Sequence, residues 1–115
     1  MTRGKLVSEC GAVTVDPCLR TTNVYDRMRG LLYRPEPSAG SGLLIDPCSS
    51  VHTFGMSYPI DVVFLDENLR VLRCIDSVAP WRMLACRGAR MTLELRAGDA
   101  NVLGVNVDQE FLWHA

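Results

Sequence analysis

Residues 48–66 hold the side chains best suited to chemistry: Cys48, His52 and Asp61. Asp61 is the first to question. It sits in the run Ile60-Asp61-Val62-Val63-Phe64-Leu65, where both faces of a strand are otherwise apolar. A carboxylate there costs several kcal/mol unless it is paired or hydrogen-bonded. If the following turn is a three-residue loop, Leu65 faces Leu69 and Asp61 faces Arg73 across the hairpin. A slip of one residue removes that pairing. Asp61 therefore reads either as a structural carboxylate, ion-paired or bonded to backbone, or as a general acid–base.

His52 lies on a short strand with Val51 and Thr53. Cys48-x-x-x-His52 has a metal-like spacing, but two ligands do not make a zinc site and no second pair follows. A Cys48/His52 nucleophile pair would need an orienting group and an oxyanion site that nothing nearby supplies. No metal and no cofactor is expected, and His52 reads best as a hydrogen-bonding pocket residue. Phe54, Met56 and Tyr58 alternate around Gly55 and Ser57. They either fill the core and mouth of a barrel or line a small-ligand pocket. Arg29 and Arg82 are the candidates for its rim.

Composition narrows the setting. A chain of 115 residues fits one domain, residues 1–115, and 48% apolar content supports a core without disulfides or metal. A formal net charge of −1 gives no basic footprint for nucleic acid. Of 12 basic residues only Lys5 is lysine. An arginine-rich set suits carboxylate or phosphate partners, though it equally suits a GC-rich genome and an ordinary charged surface. Five cysteines at irregular spacing read as reduced thiols. With no signal peptide or long apolar run visible, a cytoplasmic protein without a membrane span is expected.

These side chains need elements to position them. Residues 5–15 predict a short strand or hairpin ending at Asp16-Pro17. Val24, Met28, Leu31 and Leu32 share one helical face, so the spacing predicts an amphipathic helix over 23–34 that Pro35 stops. Gly30 within it implies close packing against a neighbour. A loop follows over 35–42, then a strand at 43–45. Residues 60–65 and 69–75 predict a hairpin, and 76–89 read as irregular. In 91–96, Met91, Leu93 and Leu95 alternate with Thr92, Glu94 and Arg96, a half-buried strand with a polar face. A short second helix opened by Asp99 and a last strand at 110–113 complete a mainly β fold, a small barrel or sandwich.

The run His52-Thr53-Phe54-Gly55-Met56-Ser57-Tyr58-Pro59-Ile60-Asp61-Val62-Val63-Phe64-Leu65-Asp66 resembles the signature of the uncharacterised ACR family, domain of unknown function 192. Arg29-Gly30-Leu31-Leu32 with Arg34 resembles its early helix motif, and Gly42-Leu43-Leu44-Ile45 its next strand. Pro80-Trp81-Arg82 and the block from Ala89 through Leu93-Glu94-Leu95-Arg96-Ala97-Gly98 resemble its later part. The resemblance spans about residues 20–113. Where many members read Phe-Trp-Met-Lys-Asn-Thr, this chain has Phe54-Gly55-Met56-Ser57-Tyr58 and lacks that Lys/Asn pair. Val107-Asp108 replaces the usual Gly-Asp before the last strand. The resemblance implies a small all-β fold with short helices and carries no established activity.

Three functions fit these residues. The first is a non-catalytic binding or accessory module with a pocket near residues 52–58, lined by His52, Phe54, Met56 and Tyr58 and serving a small molecule or protein. The second is a small enzyme, hydrolytic in type, using His52 or Asp61 as acid–base. The third is a protein–protein adaptor, which predicts an exposed apolar patch including Trp81 or Trp113.

Overall fold

The structure is a computed structural model that describes every residue except Tyr33. Among the described residues the elements are β1 (Thr2–Ser8), β2 (Thr14–Arg20), α1 (Val24–Arg29), β3 (Gly42–Ile45), β4 (Ser50–His52) and β5 (Ile60–Leu65). They continue with β6 (Val71–Val78), β7 (Met83–Ala85), β8 (Met91–Arg96), α2 (Asp99–Leu103) and β9 (Phe111–His114). The fold is mainly β, as expected.

Seven strands form one curled sheet in the order β6-β5-β8-β3-β2-β1-β9, and β4 pairs with β7 in a separate ribbon. The curl brings the two ends of the large sheet together. Val71 N–H donates to Gln109 O at 2.8 Å, Asp108 N–H to Val71 O at 2.9 Å and Phe111 N–H to Leu69 O at 3.0 Å. The result is a half-barrel. The hairpin expected over 5–15 runs on through Pro17 to Arg20, and β2 lies parallel to β3. Parallel neighbours need a crossover, and α1 with its flanking loops provides it.

Period-two alternation divides the core between the two faces of the sheet. Leu44, Val63, Leu65, Leu93 and Leu95 join Leu6, Val15 and Phe111 on the inner side. Leu43, Ile45, Ile60, Val62 and Phe64 meet Leu31, Val51 and Met56 on the other. Strand β5 is buried at every position, so it is covered on both faces as its composition requires.

Four expectations are corrected. First, the hairpin closes at Asp66 and Arg70, and irregular pairing beyond the turn places Arg73 opposite Phe64. The Asp61–Arg73 pair does not form. Asp66 causes this shift: its Oδ1 accepts the Asn68 and Arg70 amides at 2.8 and 3.0 Å and fixes the turn one residue later. Second, the helix expected over 23–34 stops at Arg29, because Gly30 adopts φ 53° and donates its N–H to Asp26 O. Helix α1 buries none of its residues; Val24 and Met28 face outward, and only Leu31, beyond the helix, enters the core. Third, residues 76–89 are not wholly irregular: β6 extends to Val78 and β7 pairs with β4. Fourth, the polar face of β8 meets water only at Arg96; Thr92 and Glu94 are buried.

Candidate functional site

Where α1 ends, its last turn and the Gly30-Leu31-Leu32 segment lean over β3, β4 and β8 and enclose a cavity of about 260 Å³. Arg27, Met28 and Arg29 come from the helix, Ile45 from β3, and Val51 and His52 from β4. Met56 and Cys48 add to the wall, and Glu94 reaches it from β8. Four of the segments quoted above for their family resemblance, 29–32, 42–45, 52–66 and 89–98, thus meet around one space.

Glu94 is the unusual member. It is 3% exposed, and its Oε1 has no hydrogen-bond partner among the described residues. Burial pushes its carboxyl from the ordinary 4.5 up to about 7, against the smaller opposing effect of the Leu31 amide. Gly30 makes the close approach possible. A Cβ at that position would stand 3.1 Å from Glu94 Oε1 and 3.5 Å from Ile45 Cδ1, and the positive φ also favours glycine. The expected close packing at Gly30 is therefore packing against a buried carboxyl group.

The segment over the cavity is tied down on its outer side. The Tyr58 hydroxyl lies 3.1 Å from Arg34 O, 3.3 Å from Leu31 O and 3.4 Å from Pro35 O, sharing one donor among three carbonyls. Arg34 Nε donates to Gly30 O at 2.7 Å, and Arg29 Nε to Leu32 O at 3.0 Å. Burial raises the Tyr58 phenol, and the Glu94 and Glu36 carboxylates raise it further. Tyr58 is thus a brace for the roof of the cavity and is not among the residues lining it.

The other predicted residues separate. His52, Met56 and Arg29 line the cavity. Phe54 stands beside it, stacked on His52 (centroids 5.1 Å apart) and on Trp81 (5.8 Å). Thr53, between them in sequence, is buried and locks this row in place. Its hydroxyl donates to Ala79 O at 2.8 Å and accepts the Arg82 amide at 2.9 Å. Arg82 joins that lock through its backbone while its side chain is exposed. Asp61 lies elsewhere, wholly buried beside α2. Its Oδ1 accepts the Ser77 and Gly98 amides at 2.8 and 3.1 Å, and its Oδ2 accepts Ala100 N–H at 2.8 Å. Gly98 occupies the N-cap of α2 and offers no side chain, so Asp61 caps the helix from a neighbouring strand.

Glu94 escaped the sequence because Met-Thr-Leu-Glu-Leu-Arg reads identically whether its polar face meets water or a second layer. The one usable signal was Gly30, a glycine inside an apolar helical pattern, which announced a close neighbour without naming it. The site can accept an N–H or O–H from a bound molecule, or exchange a proton near neutral pH. Among the described residues no group of three or more His, Cys, Asp or Glu could hold a metal ion. No helix among them is long and apolar enough to cross a membrane.

Comparison with known proteins supports the fold and the kinship. A crystal structure of a protein of unknown function from Novosphingobium aromaticivorans superposes with TM-score 0.78 at 20% identity, covering 97% of this chain and 84% of that one. A second, from Sinorhizobium meliloti and provisionally described as a transcription regulator, gives 0.79 at 20% identity, covering 97% and 94%. Identity at that level shows a shared fold alone. A UPF0127 protein of Thermococcus sibiricus is 28% identical over 94 residues, which is 77% of this chain and 60% of the relative. The chain thus spans about three fifths of the length of that curated relative. The profile of the Uncharacterized ACR family, DUF192, matches residues 16–113, and the chain belongs to that family.

Proposed function

We propose that the chain is a non-catalytic module that binds a small ligand in the cavity over Glu94, with His52 and Met56 on its wall. One observation carries this reading: a nearly fully buried carboxyl oxygen on the cavity wall has no partner among the described residues. Leaving a buried polar atom unpaired costs about 1–3 kcal/mol, and a ligand donor would recover much of it. The volume, about 260 Å³, sits just below the range of drug-sized sites, so the ligand is small. Five free thiols suit a reducing compartment, which favours work in the cytosol.

A second reading, acid–base catalysis, has one observation in its favour. A carboxyl titrating at about 7 is matched to proton transfer at neutral pH. In this reading the acid–base would be Glu94, with His52 on the wall of the same cavity. Asp61 is committed to three backbone amides.

A thermal-shift screen of small polar metabolites tests the binding reading. At least one compound should raise the wild-type midpoint by several degrees and lose most of that effect in Glu94→Gln and His52→Ala. If no compound stabilises the wild type at millimolar concentration, the reading fails.

A further inference from the structure

We infer that the cavity is built for a small zwitterion, its amino group inward at Glu94 and its anionic group outward at Arg27. This rests on the small-ligand reading and goes on to name the ligand's chemistry.

Two side chains of opposite charge line the same cavity without pairing. Glu94, the inner one, is 3% exposed and has an oxygen with no partner. Arg27, half-exposed, lies on the wall and also borders the shallower neighbouring cavity beside Cys48 and Arg90, which places it at the mouth. Among the described residues no carboxylate lies within ion-pairing distance of Arg27. Apolar side chains on the same cavity's wall include Leu32, Val51 and Met56.

A simple anion would meet the Glu94 carboxylate, and a simple cation would have to pass Arg27 and Arg29. A zwitterion satisfies both ends. Its ammonium supplies a charge-assisted hydrogen bond to Glu94, about twice as strong as a neutral one. Its carboxylate can take a two-pronged contact from Arg27. Its methylene chain covers the apolar part of that wall. The proton carried by the neutral form of Glu94 leaves to solvent when the ammonium binds, so charge balances within the site.

The test is calorimetric titration at pH 7 with three probes of matched length: 6-aminohexanoate, hexanoate and hexylamine. The wild type should bind 6-aminohexanoate at least tenfold more tightly than either of the others. Glu94→Gln should weaken 6-aminohexanoate about tenfold and leave hexanoate unchanged or slightly stronger. Arg27→Ala, a change on the half-exposed helix surface, should weaken 6-aminohexanoate and hexanoate together, with Arg27→Lys restoring part of both. Melting curves on each variant confirm that it is folded before titration. Equal binding of hexanoate and 6-aminohexanoate would overturn the zwitterion while sparing the cavity as a ligand site. Failure of all three probes while other compounds stabilise the protein has the same meaning. If nothing binds, both the inference and the underlying function fall.

Discussion

Taking a carboxyl group out of water favours its neutral form, and Glu94 shows the effect because its burial outweighs the opposing Leu31 amide. Its folded pKa is raised from 4.5 to about 7, so the folded chain holds this proton more tightly than the unfolded chain. The stability linked to Glu94 is therefore fully present below about pH 4.5 and is lost as pH rises through 7. Its full size is on the order of 3 kcal/mol. Urea denaturation of the wild type should show this contribution falling between pH 5 and pH 8, and Glu94→Gln should flatten that fall. An unchanged slope in the variant would mean that Glu94 is ionised throughout. Asp61 predicts the opposite kind of result. Asp61→Ala strands the buried Ala100 amide, worth about 1–3 kcal/mol, and the part-buried Ser77 and Gly98 amides, so a loss of a few kcal/mol is expected with no specific loss of ligand binding. A variant within 1 kcal/mol of wild type would show that the α2 cap is dispensable. The two carboxylates were not equally legible in the sequence. Asp61 stood out because it interrupts a strand apolar on both faces. Glu94 did not, because alternation leaves open which layer covers the polar face.

At the scale of elements, the short helix α1 matters more for where it ends than for what it buries. Asn23 caps its start by accepting Asp26 N–H at 2.8 Å, and Gly30 turns the chain down onto β8. The apolar positions Val24, Met28, Leu31 and Leu32 matched a helical period, yet the helix breaks before the last two. A glycine able to reach φ 53° won over periodicity. Gly30→Ala should therefore cost about 1–3 kcal/mol, from the strained backbone and from crowding at Glu94. It should also reduce any ligand-induced stabilisation in the thermal-shift assay. A variant that melts with the wild type and still responds to ligand would show that the roof can move aside freely. The β5–β6 hairpin was legible as an element and misread in register. Asp66 bonding to two amides moves the turn by one residue, and hydrophobic pattern alone carries no such information. Strand β7 was hidden for another reason. Met83 and Ala85 are exposed, and the strand exists through its pairing with β4 rather than through any pattern of its own.

At the scale of the molecule, the closure of the sheet that carries the site depends on its last strand. The strand order β6-β5-β8-β3-β2-β1-β9 places sequence-distant strands side by side, and no local pattern announces such an order. Strand β9 ladders onto β1, and Trp113 lies so close over Gly4 that a Cβ there would stand 2.7 Å from its ring. Arg20 covers the same ring from 5.4 Å. Phe111, 2% exposed, fills the inner core, and its amide donates to Leu69 O beyond β5. Removing residues 110–115 therefore takes out a core phenylalanine, worth about 3–5 kcal/mol, together with the whole β1–β9 ladder. Against a total stability of about 5–15 kcal/mol, that loss decides whether the chain folds at all. The truncated chain should lose its sharp urea transition and the amide protection of β1 in hydrogen exchange. Glu94 should then titrate in the ordinary carboxyl range, because the face that buries it no longer forms. A truncated chain with a sharp transition at the wild-type midpoint would show that the sheet folds and the cavity stands without β9.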